Sequence, residues 1–245
     1  MSSLPCHMMT LGFSVTTAQD FRHYVYQASE FGQRLEAKHG AYTQWVIGNG
    51  IELWVQTNLH RRIIGMNPHF NGKTRMRVTL TERIPRHPHS ILDGAFSAWT
   101  NPIVNNAESS RYPFVFDLPD YDLYEELCVP TTIYVQLTAF AYELRGFETE
   151  EAYKMSQRGG KKGTVEAFLS SGRAKKPAQA EAMFSGRVLD ARMITNPVTE
   201  QRFYCAKVSV LGSELDVVAD PQVVQGKVVK GGIVRGAFWL SGRLI

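Results

Sequence analysis

Residues 42–57, YTQWVIGNGIELWVQT, hold two runs rich in β-branched and aromatic residues that meet at Asn49-Gly50. That dipeptide tolerates positive φ at both central positions of a two-residue turn, so the segment predicts a β-hairpin. A two-residue loop sets Trp45 opposite Trp54, Val46 opposite Leu53 and Ile47 opposite Glu52, with the tryptophan pair stabilising the ladder. Upstream, His7, Met9, Leu11, Phe13 and Val15 alternate with smaller or polar residues, a period of two that predicts a strand over 7–15. Thr17 and Asp20 then stand at capping-box spacing. Phe21, Tyr24, Val25, Ala28, Phe31 and Leu35 follow at helical spacing, which predicts a helix to about Lys38, stopped by Gly40.

Downstream of a loop containing Gly65, Pro68 and Gly72, residues 75–84 alternate again. Met76, Val78, Leu80, Glu82 and Ile84 share one face of the predicted strand, with Arg75, Arg77, Thr79, Thr81 and Arg83 on the other. The order so far is βαβββ. Over residues 7–84 this order resembles one module of the vicinal oxygen chelate superfamily, the glyoxalase-like folds. The resemblance implies a divalent metal held by inward ligands on the first and last strands, where His7 and Glu82 are the polar members of apolar faces. Imidazole and carboxylate suit a first-row metal, although a catalytic site usually takes three protein ligands and only two are visible.

Further along, DGAFSAWT, YPFVFDL and TTIYVQLTAFAYEL read as strands without an intervening amphipathic helix, and Thr149 reads as the N-cap of a short helix over 150–156. His60, His69, His87 and His89 stand at no metal-ligand spacing. Asp117, Asp120, Asp122, Glu125 and Glu126 read either as paired carboxylates for acid–base work or as a solvated acidic loop, the latter being the plainer reading. The chain lacks G-x-S-x-G, a P-loop and a strand-linked G-x-G-x-x-G, so the commonest hydrolase, NTPase and dehydrogenase signatures are absent.

Charge is uneven. Residues 1–153 carry net −4 and residues 177–245 net +2, whereas 154–176 hold seven Lys/Arg against Glu166 alone, net +6. The basic stretch is also rich in Gly and Ser. It reads as a solvated linker over 158–181 between a domain at 1–157 and another at 182–245, with Lys161 and Lys162 as candidate phosphate contacts.

From about residue 182, short strands alternate with glycines and turns, among them Asn196-Pro197, Leu211-Gly212-Ser213 and Asp220-Pro221. Four strands are evident, and the long, glycine-kinked pattern resembles an OB-fold barrel, which needs a fifth. That resemblance implies single-stranded nucleic-acid binding by base stacking beside cations, with Tyr204, Lys207, Arg235 and Trp239 as candidates.

The expected fold is therefore α+β: a βαβββ-type mixed domain with a strand-rich extension, then a small OB-like β-barrel. With 44% apolar and 20% charged residues the chain is globular, and no apolar run is long enough to cross a membrane as a helix. Met1 to Thr10 hold no basic residue ahead of an apolar run, so a cytoplasmic address is expected. Cys6, Cys128 and Cys205 form no motif and are read as reduced thiols. Three functions compete. A binding protein without a catalytic centre, with a protein partner, requires no motif and is preferred. A single-stranded nucleic-acid binder and a metal-dependent glyoxalase-like enzyme are the alternatives.

Overall fold

The computed structural model describes residues 6–87, 90–100, 111–157, 164–175 and 177–245. Its strands fall into two sheets, with little helix. In the first sheet β1 (Gln33–Ala37), β2 (Gly40–Gly48), β3 (Ile51–Asn58) and β4 (Ile63–Phe70) run antiparallel in chain order. Asn49 and Gly50 take φ of 54° and 85°, so the expected hairpin forms. Its register differs: the ladder slips by one between Val46 and Gly48, and Gln44, not Trp45, lies opposite Trp54. Because side chains alternate faces, one bulged residue separates the tryptophans. Trp54 packs edge-on against Tyr42 at 6.2 Å, while Trp45 turns toward Phe31 at 5.9 Å.

Helix α1 (Ala18–Phe31) starts at the Thr17–Asp20 capping box, which donates and accepts in both directions. It stops at Gly32 rather than near Lys38. The residues beyond it pair with β2, and Leu35 packs beside the buried Tyr42 and Trp54, so tertiary pairing overrides helical spacing. The strand expected at 7–15 is also corrected. Cys6–Leu11 is a 3-10 helix, with the Thr10 hydroxyl donating to the His7 carbonyl at 2.6 Å. Among its described side chains Met8 and Leu11, three residues apart, are completely buried, a spacing that a three-residue turn places on one side. The segment 63–70, read as loop, is the edge strand β4, where Pro68 is tolerated because an edge leaves some N–H groups unused.

The second sheet contains β5 (Met76–His87), β6 (Ser90–Thr100), β7 (Pro113–Leu118), β8 (Thr131–Phe147), β9 (Ala167–Leu169), β10 (Glu181–Thr195), β11 (Arg202–Val210), β12 (Ser213–Ala219), β13 (Val224–Gly226) and β14 (Ile233–Leu244). The strand from 76 thus leaves the first sheet, and the expected βαβββ order is not assembled. Helix α2 (Glu150–Ser156) follows β8 and is capped by the Thr149 hydroxyl, as read from sequence.

β14 pairs with β8 from Ile233↔Phe147 to Leu244↔Val135. Around this ladder the pairings β8–β12, β12–β11, β11–β10 and β10–β14 close a five-strand circuit. The circuit takes four strands from 182–245 and one, β8, from the first half of the chain. One apolar cluster runs from Met8 through Phe96 and Phe140 to Phe203, Phe238 and Leu244. At the level of strand pairing and core, no sheet or apolar core among the described residues belongs to 182–245 alone. The described part of the expected linker is packed too. Phe168 of β9 stacks on Tyr112 at 4.3 Å, and the Glu166 carboxylate accepts from Ser209 and from the Leu211 N–H.

Candidate functional site

Where β13, β8, β14, β10 and β9 lie side by side, their registers place Gln225, Arg145, Arg235, Ser185 and Ala167 in one transverse row on one face. Arg145 stands directly opposite Arg235. Like charges at such cross-strand positions repel, yet among the described residues neither guanidinium has a carboxylate partner, and both are exposed. The neighbouring cations are neutralised: Arg187 donates to Glu150 at 2.7 Å, Lys154 meets Glu150 at 2.5 Å and Lys227 meets Glu148 at 3.1 Å. Arg145 lies over the Phe147 ring at 5.1 Å, which steers its guanidinium without reducing its charge. α2 supports the row from one side, with the buried Tyr153 donating to the Ser185 hydroxyl at 3.1 Å.

Two hollows open on this face. One, of about 240 Å³, is lined by Glu143, Arg145, Gln225 and Arg235 among others. The second, of about 460 Å³, extends toward Gln157, Thr164, Phe168 and Leu169. Met183, Arg235 and Gly236 line both, so the hollows form one groove. No ion pair ties Glu143 to either arginine.

A second polar group lies at the seam between the sheets. His69 Nδ1 is 3.0 Å from Ser241 Oγ, superficially a base beside a nucleophile. Both are buried, His69 at 0% and Ser241 at 1% exposure, so no substrate reaches them. Burial also lowers the His69 pKa to about 4. Beside it Arg243 meets Asp120 at 3.0 Å and Glu52 at 3.7 Å and covers the Trp54 ring at 4.7 Å. These groups join the sheets rather than perform chemistry.

The acidic group read from sequence is dispersed, and four of its five members, all but Glu126, each meet a different basic side chain. Asp117 meets Arg86 at 2.5 Å, Asp120 meets Arg243, Asp122 meets His39 at 2.9 Å and Glu125 meets Lys38 at 2.7 Å. Asp120 and Asp122 are buried, which excludes the solvated-loop reading for them. His7 Nε2 lies 3.0 Å from the Tyr142 hydroxyl, and its ring stacks on Trp239 at 4.1 Å. Glu82 is exposed on β5, beyond Leu80, whose partner Thr131 stands at the opposite end of β8 from Tyr142. The two proposed metal ligands are thus held apart. Among the described residues no three His, Cys, Asp or Glu side chains gather to hold a metal, so these residues do not fit a divalent metal.

The nucleic-acid candidates are not assembled as expected either. Trp239 is 8% exposed, and its indole N–H donates to Asp117 at 2.5 Å, so it offers no stacking face. Lys207 is paired with Glu214 at 2.5 Å. Tyr204 and Lys207, three residues apart in a regular ladder, point to opposite faces. Lys161 and Lys162 lie outside the described residues, as does His89. Arg235 alone enters the groove. Its partner Arg145 was missed because the two are ninety residues apart in sequence and nothing local signals their pairing. The chain matches no protein-family model, no curated protein and no solved structure.

Proposed function

We propose that this protein is a binding protein without a catalytic centre, and that its ligand is anionic and docks on the Arg145–Arg235 row. The supporting observation is the pair itself: two exposed guanidiniums, directly opposed across a ladder and without a carboxylate counter-ion among the described residues. A bound phosphate or carboxylate relieves their repulsion and accepts charge-assisted hydrogen bonds from both. The finer architecture belongs to the same proposal. The circuit of β8, β12, β11, β10 and β14 is read as an OB-like barrel whose outer face carries the row. The absence of common catalytic motifs from the sequence is consistent with binding rather than turnover.

The test is thermal denaturation with inorganic pyrophosphate as the probe, for wild type and for the double variant Arg145→Gln/Arg235→Gln. Pyrophosphate is expected to raise the melting temperature of wild type and to leave the double variant unmoved. An equal response from both proteins, or none from either, rejects the row as an anion site.

A further inference from the structure

We infer that the groove takes a single-stranded nucleic acid laid across the strands, with phosphates on Arg145 and Arg235 and the bases toward Met183 and Leu169. This rests on the anion-binding reading above and adds the ligand class. Three observations carry it.

The first is shape. The row from Gln225 to Ala167 crosses five adjacent strands, four interstrand steps of about 4.8 Å or roughly 19 Å in all, and the two hollows follow it as one groove. An isolated phosphate needs only one hollow, whereas a chain ligand uses the whole track. The second is the wall. Leu169 and Met183 are 61% and 39% exposed and face each other across β9 and β10, an apolar surface beside the cations. A strand with alternating charged backbone and flat apolar bases matches that division. The third is the distribution of charge. Gln157, Thr164 and Leu169 border the groove and belong in sequence to the one segment with a large basic excess, net +6 over 154–176; of its seven cations Arg158, Lys161, Lys162 and Lys176 lie outside the described residues, and Lys154 and Lys175 are paired with Glu150 and Glu181.

An acidic peptide fits less well. The row runs across β8, β14 and β10, whose backbones here are already paired on both sides, so a peptide would find no open ladder to extend. Glu143 lines the β8 end of the groove and directs the anionic backbone away from itself, over Arg235 toward β9. Among the described residues no exposed ring lines the track, so binding reads the backbone and discriminates little between base sequences.

Fluorescence anisotropy with a labelled oligothymidylate of about 15 nucleotides, titrated at several salt concentrations, tests this. Each phosphate neutralised on a single strand contributes about −0.7 to the slope of log K against log salt. Arg145→Gln/Arg235→Gln should therefore lower the magnitude of the slope by about 1.4, while Arg145→Lys/Arg235→Lys should keep it. Circular dichroism of each variant establishes that it is folded. An unchanged slope in the glutamine variant overturns the inference, because the strand then lies elsewhere. If the oligonucleotide does not bind while pyrophosphate or polyglutamate still discriminates wild type from the glutamine variant, the anion site stands and the nucleic-acid assignment falls. If no anion discriminates them, both fall.

Discussion

Asp117 sits between the Arg86 guanidinium and the Trp239 indole N–H, both at 2.5 Å. Burial pushes its carboxyl up to about 6, against the pull of those two donors. A carboxylate whose folded pKa lies above its unfolded value holds a proton in the native state that the unfolded chain has released. Its contribution to stability is therefore greatest below about pH 4 and is lost as pH rises through about 6. At about 1.4 kcal/mol per unit the loss is on the order of 3 kcal/mol. Asp117→Asn cannot titrate, so the stability of wild type relative to this variant should fall between about pH 4 and pH 7. Urea denaturation at both ends of that range measures it, and a constant difference would contradict the assignment. Other polar residues serve the fold in a similar way. Asp216 accepts from the Thr74 N–H and hydroxyl at 3.1 and 2.6 Å and so ties the connection between the sheets to β12. Gly72 is obligatory beside it, since a Cβ there would overlap the Asp216 carboxylate.

At the scale of elements, the β8–β14 ladder is both the structural seam and the seat of the proposed site. Its inner residues, such as Leu144, Ala139 and Leu240, are buried. The Arg145–Arg235 pair on its outer side contributes repulsion instead. Removing one charge should stabilise the protein, because like charges directly opposite destabilise a ladder: Arg145→Gln is expected to gain about 0.2–1 kcal/mol, taking the size of an ordinary cross-strand pair interaction. The gain should shrink as salt rises and screens the repulsion. Denaturant melts at low and high salt distinguish this outcome. A loss of stability would mean that the stacking of Arg145 on Phe147 outweighs the repulsion. A ladder that retains such a pair where glutamine would be more stable is the pattern expected of a ligand site, where function outweighs local stability.

For the whole molecule, β8 belongs to both halves of the chain. It pairs with β5 at its start, with β12 in its middle and with β14 along most of its length. A fragment of residues 182–245 lacks it, which would leave the edges of β12 and β14 open. That fragment should show no cooperative thermal transition by circular dichroism, whereas the full chain should melt cooperatively. A sharp transition in the fragment would restore the independent barrel. The sequence by itself determined the local features: the Asn49-Gly50 turn, the Thr17–Asp20 and Thr149 caps, the Leu211-Gly212 turn and most of the long strands. These depend on φ preferences, capping geometry and two-residue alternation, all confined to a few neighbouring positions. Only the tertiary structure decided the Ile47 slip, the replacement of a helix end by β1, the joining of the two halves through β8 and the meeting of Arg145 with Arg235. Each of these depends on which distant backbone supplies the hydrogen bonds and which apolar face has a partner to bury against. Neither quantity is carried by local spacing, because pairing energy belongs to two segments at once and is fixed only when the chain closes on itself.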